Sequence, residues 1–285
     1  MTNKYLSIAQ AMLAFALWST LGVFFNRVPL HPATYVVFGS LVGLCFLYLW
    51  YYVTRGGIPN FRFSWPLFGL FVIAGVKGVI WFRALSLLPI ATAMLVHNLA
   101  PVFALVFAPV LIREKPGFNH LIAVTTGFLG LATLLKLDSA GTPLCSMGMA
   151  FAIATAVGSG FQDVIQRKLS GTIPGPAQAF IFILGQALGS VFFLIPQFPA
   201  AVGWMDLSHI AYFGLFGTAL PIILLSSSFR GLKSFEVATL GFTEPSLGAL
   251  WGALFLGQPV LPSTAIGGLL IFLSGLTAVR EEKNR

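Results

Sequence analysis

Charge is what this sequence has least of. Of 285 residues, eight are acidic and sixteen are Lys or Arg, together 8%, where soluble domains carry about 25%. So few charges cannot solvate the surface of a chain this long, which excludes an ordinary soluble domain and implies a surface that meets lipid. Cysteine is nearly absent too. Cys45 and Cys145 are the only two, both in apolar runs, and each reads as a small buried hydrophobe rather than half of a disulfide. There is no Walker-type loop, HExxH, GxSxG or CxxC pattern, so nothing in the sequence points to a nucleotide-driven motor, a common hydrolase or a metal centre. GSGFQD at 158–163 has glycines but lies inside an apolar run, without the context of a phosphate loop. No catalytic residue, metal ligand or cofactor is assigned, and the expectation is that the chain is not an enzyme. The net charge of +8 comes from basic residues isolated between apolar runs. It is read as membrane topology rather than as a nucleic-acid surface.

What is present is oil with punctuation. Hydrophobic residues make up 57% and glycine contributes 30 residues, with a mean hydropathy of +0.91. A bilayer-spanning helix takes about 20 apolar residues. That length gives ten spans near 6–26, 34–53, 66–82, 91–111, 119–136, 143–163, 176–196, 208–228, 236–256 and 262–279. Turn-forming breaks separate them, including RGGIP at 55–59, REKPG at 113–117 and SGTIPGP at 170–176. The first run, taken alone, has the length of a signal peptide, but comparable runs follow throughout, so it reads as the first span. The loops leave no room for a second, soluble domain. Ten spans put both termini on one side, where twelve Lys and Arg fall, against Arg27, Arg83 and Lys136 on the other. The excess places both termini in the cytoplasm, for a multi-pass protein of the cytoplasmic (inner) membrane. Trp50, Tyr51, Tyr52 and Trp65 fall near span ends and suit an aromatic belt.

The second half of the chain repeats the first. LVHNLAPVFALVFAPVLIREKP at 95–116 aligns with TLGFTEPSLGALWGALFLGQPV at 239–260 under a shift of 144, which superposes Pro101 on Pro245 and Glu114 on Gln258. Upstream, WFRAL at 81–85 matches SFRGL at 228–232 with a shift of 147, and Gly39 and Gly43 pair with Gly185 and Gly189. Asn26–Arg27 and Gln166–Arg167 form a weaker match. Five spans per copy is an odd number, so the second copy enters the membrane the other way up. The expectation is an all-α integral membrane protein of ten transmembrane helices in two inverted five-helix repeats, residues 1–138 and 139–285.

On ALWST at 16–20, HPATYVVF at 31–38, RALSLLPIATA at 83–93, LAPVFAL at 99–105 and, most specifically, EVATLGFTEPSLGALWGALFLGQ at 236–258, the chain resembles the EamA-type, ten-helix members of the drug/metabolite transporter superfamily. The resemblance covers nearly the whole chain. It implies ten helices around a central substrate cavity and export of amino acids and related small metabolites. Two positions depart from the family's pattern: Gly39 stands where it often has arginine, and Gln258 where it often has glutamate.

Polar groups inside the spans are the candidate site. Glu244, followed at once by Pro245, places a carboxylate and a missing backbone donor inside span nine. Burying a carboxylate is costly unless it is paired, protonated or facing a wet cavity. Glu244 therefore reads as a structural brace, a contact for a substrate amine, or a carrier of a coupling proton. Lys77, between Gly75 and Gly78 in span three, offers a partner to Glu244 or to a substrate carboxylate, or snorkels to the interface. His97 and Asn98 beside Pro101 offer neutral hydrogen-bonding groups or a packing pair. Trp18, Ser19 and Thr20 form a polar-aromatic patch. Gln178 and Gln186 line one face of span seven, as a route or as helix–helix bonds. Tyr35, Trp81 and Trp251 offer apolar surface to a substrate or to packing. Asp163 beside Gln162 marks a gate or an interfacial end, and Pro89, Pro101 and Pro245 are hinge candidates.

The expected function is a secondary transporter or facilitator that exports small metabolites, with amino acids first, by alternating access. Nucleosides, sugars or drug-like compounds are the alternative cargo. An integral-membrane enzyme built on Glu244, His97 and Lys77 is the alternative of another class. The expected partners are a small-molecule substrate and membrane lipid, with no nucleic acid and no obligate protein partner.

Overall fold

The structure is a computed structural model that describes residues 3–25, 32–57, 63–88, 90–135, 146–194 and 203–280. Every element among them is helical. The first repeat contains α1 (Lys4–Ser19), α2 (Leu21–Phe25), α3 (Pro32–Arg55), α4 (Trp65–Leu87), α5 (Ile90–His97), α6 (Ala100–Leu111) and α7 (Phe118–Leu134). The second contains α8 (Met147–Leu169), α9 (Gly175–Leu194), α10 (Trp204–Tyr212), a π-helical segment (Phe213–Ala219), α11 (Leu220–Ser228), α12 (Ser234–Leu240), α13 (Thr243–Leu256) and α14 (Pro262–Val279). Three of the ten spans are thus composite or broken in plain ways: α5 breaks into α6, α12 into α13, and α10 runs through the π segment into α11. The first span also turns at Thr20 between α1 and α2. Among the described residues, five helical runs are each long and apolar enough to cross a bilayer, and three more are shorter and apolar.

Hydrophobic residues cover the outside as well as the core. Leu49, Val53, Val106, Leu254 and Phe272 are all exposed, as lipid-facing positions must be in a chain with this little charge. Trp50, Tyr52 and Trp65 are exposed as a belt requires, whereas Tyr51 turns inward and is buried. Cys45 corrects the sequence reading, because it is exposed on α3 rather than buried. Cys145 lies outside the described residues.

The repeats interlock rather than sit side by side. α1 packs on α11 and α13 of the second repeat, and its counterpart α8 packs on α4, α5 and α6 of the first. α3 crosses α9 and the π segment, α9 crosses α4, and α7 pairs with α14. Two of these crossings depend on the glycines that the repeat alignment pairs. A side chain at Gly185 or Gly189 would run into the α4 backbone at Phe71 and Gly75, and one at Gly39 would meet the Phe213 ring and the Gly214 backbone. Close backbone approach through small residues is how membrane helices associate without a hydrophobic drive. The Gly39 crossing also explains the absence of the family's arginine there, since α3 has no room for a long side chain at that point.

The repeat extends to individual hydrogen bonds. α6 ends with Arg113 at φ 60° and α13 ends with Gly257 at φ 66°, two positions separated by the shift of 144. The next residue in each copy returns to the same place: Glu114 N–H donates to Ala108 O at 3.2 Å and Gln258 N–H to Gly252 O at 3.2 Å. This is a helix stop built on a left-handed residue. Glycine adopts that backbone freely and arginine does not. Gly257→Ala should therefore lower stability by about 1 kcal/mol, and Arg113→Gly should raise it by about 0.5 kcal/mol. Thermal unfolding of the purified protein in detergent would show the two effects with opposite signs.

Candidate functional site

Both broken helices break at the aligned prolines. Pro101 and Pro245 have no N–H to give to the carbonyls four residues back, those of His97 and Gly241. Each helix therefore tightens through i→i+3 bonds and restarts: Leu99 N–H reaches Val96 O at 3.1 Å, and Glu244 N–H reaches Gly241 O at 3.1 Å. Side chains close the ends, with Asn98 Nδ2 donating to Met94 O at 2.8 Å and Thr243 Oγ1 donating to Leu240 O at 2.7 Å. Both prolines are buried, in keeping with packed breaks. The third hinge candidate, Pro89, lies outside the described residues.

At the first break a polar cluster forms between the repeats. α8 carries Thr155, Ser159, Gln162, Asp163 and Gln166 on one buried face, a helical spacing turned toward the first repeat. Lys77 of α4 meets it: Nζ donates to Gln162 Oε1 at 2.6 Å and sits 5.7 Å from the centre of the Phe182 ring. Asp163 and Lys77 attract one another through space without forming a direct ion pair. His97 Nδ1 lies 3.3 Å from Thr155 Oγ1, and its ring centre is 4.8 Å from that of Trp81, one turn beyond Lys77. The Thr155 hydroxyl already donates to Ala152 O at 2.7 Å. Its oxygen is then left to accept from His97, which assigns a proton to Nδ1. Ser159 Oγ is buried with no hydrogen-bond partner among the described residues.

At the second break the chemistry is acidic. Glu244 occupies the first turn of α13, where the positive end of the helix dipole favours a carboxylate. Its side chain forms no hydrogen bond or ion pair with any described residue. It is nonetheless deep among protein atoms and still partly accessible, the position of a side chain that faces an internal opening. Gly248 and Trp251 continue its helical face at one and two turns. That face meets α1, where Trp251 Nε1 donates to Ser19 Oγ at 2.9 Å. Trp18 Nε1 donates to Gly217 O at 3.0 Å. This carbonyl lies four residues before Pro221, which has no N–H to offer it, so the indole supplies the donor that the π segment and proline withhold.

The candidates predicted from sequence thus separate into groups. Lys77, Trp81, His97 and Asp163 come together, Ser19 and Trp251 bond to each other on the helix face that Glu244 begins, and Trp18 turns to the π segment. Lys77 and Glu244 do not pair. Tyr35, offered to a substrate or to packing, is fully buried, with its ring 5.3 Å from that of Phe24. Gln178 is also fully buried, and its Nε2 donates to Ile173 O at 3.0 Å at the start of α9. Gln186 donates to Ser40 Oγ at 3.3 Å, a bond between α9 and α3 rather than a route. Asp163 does not mark an interfacial end, because α8 runs on to Leu169 and Asp163 is buried. Thr155, Ser159 and Phe182 were missed. The 4–3–4 spacing of Thr155, Ser159, Gln162 and Gln166 was the available signal for the first two.

A second network closes the end of the bundle that carries Lys4. Arg167 at the end of α8 holds Glu114 Oε1 at 2.5 Å and donates to Phe229 O at 2.5 Å, while Glu114 Oε2 accepts from Ser234 N–H at 3.4 Å. Nearby, Glu236 lies 3.8 Å from both Lys4 and His120. These contacts join the two repeats.

Two stretches of the chain, residues 5–136 and 146–279, match the sequence profile of the EamA-like transporter family. The chain is similar to the uncharacterized transporter YwfM of Bacillus subtilis, with 24% identity over 286 residues that cover 95% of this chain and 94% of that one. It is similar to protein PecM of Dickeya dadantii, with 27% identity over 231 residues, 79% of this chain and 76% of the other. A riboflavin transporter of Rhizobium johnstonii is 22% identical over 280 residues, 96% and 90% of the two chains. One solved crystal structure superposes with a TM-score of 0.84 at 22% identity, covering 97% of this chain and 98% of that one.

The Trp251–Ser19 bond joins the repeats beside Glu244, and such bonds inside a membrane contribute about 1 kcal/mol. Trp251→Phe and Ser19→Ala should each lower stability by about that amount, and the double variant should lose little more than either alone. Thermal unfolding of the four proteins gives the cycle.

Proposed function

The chain belongs to the EamA-like transporter family, and from that premise we propose that it exports small zwitterionic metabolites, amino acids first, from the cytoplasm by alternating access. The observation that carries this reading is Glu244, a carboxylate deep in the fold with no partner among the described residues. A carboxylate in such a place needs a cation from outside the protein, and the ammonium of an amino acid supplies one. Lys77, drawn to the other station by Gln162, offers a charge to the substrate carboxylate. Trp81, Trp251 and Trp18 give a permissive apolar surface to the side chain. The two stations lie at the pseudo-symmetric broken helices, α5 and α6 against α8 and α12 and α13 against α1, which suits a site at the interface of two rocking repeats.

The orientation rests on the Lys/Arg excess, which assigns both termini to the cytoplasm and the protein to the cytoplasmic membrane. The role is transport rather than catalysis, and the proposed division of the repeats is 1–138 and 139–285. A second cargo reading has its own support: the tryptophans around both stations suit a flat heterocycle, and one similar protein is a riboflavin transporter.

The test is flux. Purified protein in liposomes should take up labelled amino acids in a saturable way, and Glu244→Gln should reduce that flux by about tenfold or more, the loss of a charge-assisted bond inside a protein. Lys77→Met should weaken it as well. Acceleration by an imposed pH gradient would identify proton exchange, and equal flux without one would identify a facilitator. No protein-dependent flux across a broad panel from folded protein would refute the amino-acid assignment and bring riboflavin-like heterocycles forward.

A further inference from the structure

A cavity of about 820 Å³ opens at the positively charged end of the bundle, and it contains none of the transport candidates. It lies where α1 begins, α3 ends, α9 begins and α11 ends. Arg55 and Arg230 both line it, and none of its thirteen described lining residues is a carboxylate. Arg55 forms no ion pair with any described residue. The start of the 20-residue helix α9, at Gly175, and the N-cap of α1, Asn3, reach the same space as the ends of α3 and α11, so the helix dipoles offset one another and the two guanidinium groups set the sign of the charge. Hydroxyl and amide groups of Ser7, Gln10 and Ser227 complete a hydrogen-bonding wall.

The cavity also has an apolar side at the depth of the membrane surface. Trp50 and Tyr51 line it from the last turns of α3. Trp50 is part of the exposed aromatic belt, while Tyr51 is buried against the cavity. Aromatic residues beside arginines at this level are the setting in which phosphate headgroups meet membrane proteins. The volume falls within the range of pockets that enclose a small molecule.

We propose that this cavity binds a phosphate group, carried either by an anionic phospholipid of the cytoplasmic leaflet or by a soluble phosphate compound. Arg55 and Arg230 grip the phosphate oxygens, a role suited to the bidentate guanidinium fork. A lipid tail then follows the apolar α3 face. The site is separate from the transport stations and depends on the export reading only for the name of the leaflet.

Native mass spectrometry of the delipidated protein, titrated with phosphatidylglycerol and with phosphatidylcholine, tests the proposal. The anionic lipid should bind more tightly than the zwitterionic one. Arg55→Gln and Arg230→Gln should each weaken it about fivefold, the effect of one basic residue at a membrane surface. Arg55→Lys, which keeps the charge and loses the fork, should fall between wild type and Arg55→Gln, whereas Lys115→Gln, which removes an exposed charge at the same end outside the cavity, should stay near wild type. Thermal unfolding of each variant checks the fold. Inorganic phosphate is the second arm: if it raises the unfolding temperature only when both arginines are present, while lipid binding ignores them, the soluble source is the right one. Equal binding of the two lipids with no arginine-dependent effect of phosphate would overturn the proposal. So would a loss in Lys115→Gln as large as in the arginine variants.

Discussion

Inside a bilayer no water is available to pair with a polar group, so each must find its partner in the protein or face an opening. Most of this fold can be read as the consequence. The π segment and Pro221 deprive Gly217 O of its helical donor, and Trp18 of the other repeat supplies one. Ser274 Oγ returns to Ala123 O at 2.7 Å between α14 and α7, and Gln166 reaches Ser226 at 3.1 Å between α8 and α11. The Trp18 and Ser274 bonds join one repeat to the other and help the two copies interlock, while the Gln166 bond ties helices within the second repeat. Glu244 is the carboxylate left without a side-chain partner among the described residues, and in the proposed reading the cargo supplies that partner.

The inverted repeat explains the scaffold, and its defects locate the chemistry. Glycine crossings, broken helices and left-handed helix stops occur in both copies. Charges do not. Under the shift of 144, Glu244 corresponds to Ala100 and Glu114 to Gln258; under the shift of 147, Lys77 corresponds to Leu224. A symmetric frame allows the two halves to exchange roles as access alternates, while single charges on it distinguish one end and one substrate pole from the other. Glu114 illustrates this. It ties α6 to Arg167 and Ser234 at the end that carries Lys4, whereas Gln258, at the opposite end, is exposed.

Much of the frame was legible in the sequence because lipid leaves a long, regular signature. The ten runs fall within a few residues of the helices, and the shift of 144 predicted paired breaks at Pro101 and Pro245 that the structure contains. The sixth span was read short at 163, because Gln166, Arg167 and Lys168 look like a loop when their partners across the bundle are unknown; α8 in fact continues to Leu169. Side-chain roles were harder. Nothing local separates Gln186, which bonds Ser40, from a residue lining a route, or shows that Tyr35 is sealed among aromatic rings. The meeting of Lys77 with Gln162, 85 residues away, is a property of helix packing between repeats and has no signature within either segment.

The central claim is that Glu244 is held ready for a ligand and is not a brace. The direct measurement is calorimetric binding of an amino acid to purified wild-type protein and to Glu244→Gln, with the unfolding temperature of each recorded without ligand. A ligand-site carboxylate predicts that the glutamine variant loses saturable binding while its unfolding temperature stays level or rises, since no native contact is removed and the burial cost of a charge is relieved. Unaltered binding in the variant, or a variant that unfolds several degrees early, would contradict it.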